Sequence, residues 1–266
     1  YTTLPRVPGR DFAGVVEAGP AAWLGKEVWG TGRDLGFFND GSHAEYVCLP
    51  ASGAALKPAS LSFAQAASCG VPYTTAWDAL ERNQVRDGTQ LLIIGAGAVA
   101  QAAIDLARLR GANVLVAVRR EEVAARLRAQ SVAVILLQDA ETLAADVKAH
   151  FAQGAQVIFD TTGFWLPASI GALANFGRIG VIAAPPGGQV ATPILNLYRR
   201  GGSIVGTNTL LFDCAACAVM LNQFAGAFDC GQLPAPADFS EVPFADALSA
   251  YQRVNDGWSQ KIIFTF

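Results

Sequence analysis

Between Gln90 and Val205 the chain repeats one pattern. A short block of consecutive apolar residues is followed by a stretch with helical spacing. The apolar blocks are Gln90–Ile94, Asn113–Val118, Val132–Leu137, Val157–Phe159, Ile179–Ile182 and Gly202–Val205. A strand with one face in water alternates polar and apolar residues. Blocks without alternation are covered on both faces, which predicts a parallel sheet. Between them, Ala98–Arg110 places Val99, Ala102, Ala103, Leu106 and Leu109 at helical spacing, and Glu121–Gln130 forms the next helix. Repeated strand–helix–strand order makes a doubly wound α/β domain.

The flanks read differently. Residues 1–60 are rich in Gly and Pro and hold three short β-type runs, Phe12–Val16, Lys26–Trp29 and Ala44–Cys48. Turn residues such as Asn39–Ser42 separate them, which suggests a small β-barrel or part of one. Ser62 and Gln65 have the spacing of a capping box at a helix start. Pro72 then opens a second expected helix, Tyr73–Arg82, because proline is tolerated in a first turn. A helix over about residues 212–228, a Pro234–Pro236 loop and a strand Lys261–Phe266 close the chain. The expected division is 1–71, 72–210 and 211–266, with the first and last segments sharing a domain.

Composition narrows the function classes. Of 266 residues, 52% are hydrophobic and only 15% charged, which excludes a disordered chain. The net charge of −3 carries no basic block, so neither a nucleic acid nor a membrane surface is an expected partner. No apolar stretch reaches the roughly 18 residues of a membrane helix. The five cysteines (Cys48, Cys69, Cys214, Cys217 and Cys230) are odd in number and scattered, the usage of reduced thiols in the cytoplasm. The chain opens at Tyr1 with neither an initiator Met nor a signal segment, as a fragment would.

Strand Leu91–Ile94 runs into Gly95-Ala96-Gly97-Ala98-Val99-Ala100 and then a helix. Gly95 permits a tight strand-to-helix turn, Gly97 lets backbone approach a pyrophosphate, and Ala100 keeps the helix close to the sheet. Amides at the helix start then face the anion, helped by the helix dipole. A structural turn that binds nothing has the same composition; the strand before and helix after are the context that favours a dinucleotide. An acidic residue at the end of the second strand would hold the ribose hydroxyls of NAD. Arg119 and Arg120 stand there instead, and a guanidinium grips a 2′-phosphate in bidentate fashion. The expected cofactor is therefore NADP(H), although Glu121 and Glu122 reduce the local positive field.

These elements together resemble the medium-chain dehydrogenase/reductase superfamily, and within it the zinc-free quinone oxidoreductase branch. The matching runs are Pro8–Val16, Gly41–Val47, Leu61–Ala67, Gly70–Trp77, the Gly95 turn, Val157–Gly163, Gly177–Val181 and Lys261–Phe266. The resemblance implies a Rossmann doubly wound parallel sheet plus a GroES-like β-barrel domain whose N-terminal part is absent. It also implies that Thr75 lies beside a nicotinamide, that Thr161 and Thr162 contact its ribose, and that Ile182, Ala183 and Ala184 face its carboxamide. Lys261 would reach the pyrophosphate or be a plain surface lysine. Zinc members carry ligands where this chain has Arg10, Asp11 and Val71. Arginine and valine cannot coordinate a cation, so no metal is expected. Cys214-x-x-Cys217 lacks a second pair and sits on an expected helix, where core packing is its ordinary role.

A hydride donor without a Lewis acid suits acceptors that delocalise charge. The expected reaction is hydride transfer from NADPH to a quinone or conjugated carbonyl. A 2-enoyl-thioester reductase and a non-catalytic NADPH-binding sensor or structural protein are the alternatives. No catalytic residue is assigned. Tyr73, His43 and His150 are the candidate proton donors, each with an ordinary packing or surface explanation. The Gly201–Asn208 segment reads as an edge strand, which the superfamily uses for a homodimer.

Overall fold

A computed structural model of the protein describes residues Thr2–Phe266. They fall into two compact units. One joins the segment up to Thr75 with Thr209–Phe266, and the other is Ala76–Asn208.

In the first unit β1 (Phe12–Val15), β2 (Glu27–Gly30) and β3 (Ala55–Leu56) form an antiparallel sheet in the order β1-β2-β3. The expected strand Ala44–Cys48 is not formed. Glu45, Tyr46 and Cys48 are exposed there and no neighbouring strand pairs with them. Helix α1 (Phe63–Arg82) then carries the chain into the second unit. The capping box at its start is present in both directions: Gln65 N–H donates to Ser62 Oγ at 3.1 Å, and Ser62 N–H to Gln65 Oε1 at 2.8 Å. The two helices expected around Pro72 are one. Pro72 lies inside a 20-residue helix, and the Ser68 carbonyl that it cannot serve accepts from Lys261 Nζ at 3.0 Å.

The second unit is built on β4 (Gln90–Ile94), α2 (Ala98–Leu109), β5 (Asn113–Val118), α3 (Glu121–Ala129), β6 (Ala133–Leu136), α4 (Leu143–His150), β7 (Ala155–Asp160), α5 (Leu166–Ala172), β8 (Leu173–Val181), α6 (Ile194–Arg199) and β9 (Ser203–Gly206). Its six strands are parallel, in the order β6-β5-β4-β7-β8-β9. Leu91, Leu92, Ile93 and Ile94 are all fully buried, as a strand covered on both faces must be. Leu92, Leu115, Ile135, Ile158 and Ile179 lie in one core with Leu143, Val147 and Ile170 of the covering helices. The chain reverses direction across the sheet between β4 and β7. In open parallel sheets that switch point leaves a crevice at the carboxyl ends of the strands.

The chain returns to the first unit with α7 (Cys214–Asp229), β10 (Phe239–Pro243), α8 (Ala247–Asn255) and β11 (Lys261–Thr265). Trp29, fully buried, stands edge-on to Phe224 and Phe228 of α7. Among the described residues, strands β10 and β11 pair in parallel only with each other.

The expected fold class is corrected on one point. The Rossmann sheet is present, but the GroES-like barrel, whole or truncated, is not found among the described residues. Strands of two to five residues offer short ladders, and β1 and β3 pair with β2 but not onward to β10 or β11. A closed barrel needs an unbroken ladder around its circumference. Here an open cavity of about 950 Å³ lies between β1 and β11, lined by both.

The capping box is the local anchor of α1. Ser62→Ala is expected to cost about 1 kcal/mol of stability, read as a lower urea midpoint with an unchanged slope.

Candidate dinucleotide site

In the Ala76–Asn208 unit three strand ends converge. β4 ends at Ile94 and the chain turns at Gly95, whose φ of +117° is strained for any side chain. A Cβ there would also stand 2.3 Å from Thr161 Oγ1. Thr161 follows β7, and its amide and hydroxyl both donate to the Ile94 carbonyl, at 3.1 and 2.8 Å. The two turns are thus bolted together through a contact that only glycine admits.

The second junction is set by Asp160, the last residue of β7. Its carboxylate is fully buried and accepts four hydrogen bonds. They come from Thr162 N–H and Oγ1, both at 2.8 Å, Gly163 N–H at 3.1 Å, and Trp165 N–H at 2.9 Å. An aspartate folding its own following backbone is a local turn device. It fixes Thr162 in place and brings Gly163, at φ +80°, against the end of β8. A Cβ on Gly163 would lie 2.7 Å from Ala183 C and Ala184 N. Ile182, Ala183 and Ala184 therefore adjoin the Thr161–Gly163 turn.

Gly97 behaves differently. Its φ is ordinary at −75°, and a Cβ on it would meet nothing within 4 Å. The space beside it is open. Gly97 is also the N-cap of α2, with no side chain capping the helix start. First-turn amides near Ala98 and Val99 are left for an anion, which the helix dipole also favours. The exposed Gly97 and Ala98 and the half-buried Ala96 offer backbone space and donors that fit a pyrophosphate.

At the end of β5, Arg119 and Arg120 are exposed. Glu121 is turned toward Arg128 at 2.6 Å, and Glu122 stands 3.5 Å from Arg120. Neither acid is paired with Arg119. Thus Gly95–Val99, Arg119, Arg120, Thr161, Thr162 and Ile182–Ala184 all occupy the carboxyl ends of neighbouring strands. Asp160 was missed in the sequence. Its signal was an aspartate ending a buried strand before Thr-Thr-Gly.

Two of the expected residues belong to the other unit. Thr75 is buried on α1, 3.2 Å from Thr209 across their hydroxyl oxygens. Lys261 opens β11, pairs with Asp11 and donates to the Ser68 carbonyl at 3.0 Å. Of the candidate proton donors, Tyr73 is buried against Phe224 and Phe228, with ring centroids 5.7 and 5.5 Å away. His43 is half-buried, in contact with Tyr251 through Nδ1 and edge-on to Phe264. Burial pulls its pKa below the ordinary histidine value, and the Asp11 charge only partly offsets this. His150 is exposed at the end of α4.

Cys214 and Cys217 are buried at the start of α7. Burial first, and then for Cys214 the Asp34 charge, pushes both thiols up to about 12. Both stay protonated and weakly nucleophilic at physiological pH. Among the described residues no group of three or more His, Cys, Asp or Glu is placed to hold a metal ion. Nor is any helix among them long and apolar enough to cross a membrane.

Comparison with known proteins places this geometry in context. Residues 98–222 match the family model of the zinc-binding dehydrogenases. A zinc-type alcohol dehydrogenase-like protein of Schizosaccharomyces pombe is 31% identical over 274 aligned positions, covering all of this chain and 80% of that protein. The human quinone oxidoreductase is 36% identical over 125 positions, 45% of this chain and 36% of its own length. An alcohol dehydrogenase superfamily protein from Novosphingobium aromaticivorans superposes on the whole chain with a TM-score of 0.87, at 29% identity and over 83% of its own length.

Two outcomes are expected. Gly95→Ala forces a Cβ onto Thr161 at positive φ, costing about 1–3 kcal/mol of stability in urea denaturation and abolishing dinucleotide binding in calorimetry. With a thiol-alkylating reagent near pH 8, the exposed Cys48 and Cys230 label in the native protein. Cys214 and Cys217 label only after unfolding, because their raised pKa keeps them as thiols until well above that pH.

Proposed function

The chain belongs to the medium-chain dehydrogenase/reductase superfamily and is an NAD(P)H-dependent oxidoreductase related to the quinone oxidoreductases, and on that footing we propose that it passes hydride from NADPH to a quinone or conjugated carbonyl. The observation that supports the reading is the open space beside Gly97 at the start of α2, next to the Gly95 turn that packs on Thr161.

The residues divide the work. Ala96–Val99 amides hold the diphosphate, and α2 adds its dipole. Arg119, with Arg120 beside it, grips the phosphate that distinguishes NADPH from NADH. Thr161 and Thr162, locked by Ile94 and Asp160, face the nicotinamide ribose. The Ile182–Ala184 backbone takes the carboxamide, and the family resemblance gives Thr75 the role of neighbour to the ring. When bound, the cofactor supplies a hydride; the protein orients it and excludes water. Arg10 and Val71 offer no metal-ligating atom, so nothing in those positions polarises a simple ketone as a zinc ion would. Acceptors that spread the incoming charge over a conjugated system need no such help. They are the proposed substrates.

Strand β9 ends the sheet, and its residues Ser203, Ile204 and Gly206 are exposed. An unpaired edge recruits a like strand. We place a homodimer contact there.

Calorimetry is expected to show NADPH binding more tightly than NADH, by about tenfold or more, with the preference lost in Arg119→Asp. Equal affinities in the native protein remove the role given to Arg119. Oxidation of NADPH with a panel of quinones and enones, unchanged by chelators, supports the reaction. Silence across the panel at saturating NADPH rejects it. Light scattering at micromolar concentration should give twice the chain mass, and a monomeric mass rejects the edge-strand dimer.

A further inference from the structure

Pro72 has no N–H, so the carbonyl of Ser68, four residues earlier in α1, has no helical donor. A buried carbonyl without a partner is costly. The donor comes from the far end of the chain: Lys261 Nζ lies 3.0 Å from Ser68 O. One residue before the proline, the Val71 amide donates to Asp11 Oδ1 at 2.8 Å. Asp11 and Lys261 are paired with each other. Asp11 reaches the helix because position 70 is glycine; a Cβ there would stand 2.3 Å from Asp11 Oδ1. The Asp11 backbone is itself held, its carbonyl accepting from Ser42 Oγ at 2.6 Å. The ion pair therefore grips the helix just before the proline, Lys261 as the donor that the Ser68 carbonyl lacks and Asp11 as an acceptor for the Val71 amide.

Thr75 lies about one helical turn beyond Pro72. A second line of contacts reaches it from the residue next to Asp11. Arg10 Nε donates to Gly32 O and Nη2 to Thr209 O, both at 3.3 Å, and the Thr209 hydroxyl meets that of Thr75. Adjacent residues of one short segment thus hold α1 at Val71, through Asp11, and at Thr75, through Arg10 and Thr209.

We propose that Asp11 and Lys261 are positioning residues for Thr75. Lys261 supplies the donor that Pro72 lacks, Asp11 holds Lys261 and the Val71 amide, and together they set where Thr75 sits. This rests on the reading of Thr75 as a nicotinamide neighbour, and it gives Lys261 a task other than holding the cofactor's diphosphate. Two of the three ammonium hydrogens are committed to Asp11 and Ser68. The side chain is only 22% exposed.

The test uses Lys261→Met, Pro72→Ala and the double variant, each followed by NADPH calorimetry, steady-state kinetics with a quinone, and thermal unfolding. Lys261→Met is expected to lower kcat by about tenfold or more and the melting temperature by several degrees, with the Kd for NADPH within about twofold of the native value. Adding Pro72→Ala restores an amide aimed at Ser68 and returns both quantities most of the way. A diphosphate ligand would behave in the opposite way: NADPH affinity falls by about tenfold in Lys261→Met and Pro72→Ala does not recover it. That result overturns the proposal, as does strict additivity of the two substitutions in melting temperature. Should Lys261→Met fail to fold, the double variant must fold; if it does not, the proposal is likewise rejected. Absence of turnover in the native protein would reject the proposed reaction, while the thermal coupling between positions 72 and 261 still decides the clamp.

Discussion

The contact between Gly95 and Thr161 is the constraint on which the proposed dinucleotide site depends. It joins the turn after β4 to the turn after β7, the two strands that flank the switch point of the sheet. Thr161 spends both its amide and its hydroxyl on the Ile94 carbonyl, and this close packing leaves no room for a side chain at position 95. Everything that follows inherits its place from that junction. Asp160 folds the Thr162–Trp165 backbone around its carboxylate, and Gly163 carries the assembly against Ala183 and Ala184. Rigid supports of this kind are what a hydride-transfer site needs, since most of the chemistry belongs to the cofactor and the protein supplies geometry.

The two units use opposite strategies to reach stable packing. In Ala76–Asn208 the strands are apolar throughout and covered on both faces, so the core forms from local hydrophobic runs. In the other unit the strands are short and the sheets open, and cohesion comes from large aromatic side chains and directed polar contacts. Trp29, Tyr73, Phe224 and Phe228 form one aromatic group. The Asp11–Lys261 pair, the Arg10 bonds and the Asp34 acceptor for Cys214 N–H tie distant segments together. Directed contacts of this sort specify position more sharply than apolar burial does.

Arg10, Asp11 and Val71 show how one set of positions serves a different end. By resemblance they stand where zinc-dependent relatives place ligands. In this chain Arg10 and Asp11 are spent on backbone groups of their own unit. Neither arginine nor valine offers a ligand atom at its position, which supports the proposal of acceptors that need no Lewis acid.

The parallel sheet, its helices, the Gly95 turn and the capping box at Ser62 were all readable from the sequence. Each is written in residues close together in the chain, where periodicity, glycine and cap chemistry act locally. The sequence also pointed correctly to the superfamily, because its motifs recur in order. It misled where the outcome depended on partners far away. Ala44–Cys48 has strand-like residues but no strand to pair with, and the barrel it implied does not close among the described residues. Pro72 reads as a helix start, yet the helix runs through it because Asp11 and Lys261, 250 residues apart, meet there. Local propensity sets what each segment can become; only the folded chain decides which carbonyl receives which donor, since that pairing depends on distances no spacing in the sequence contains.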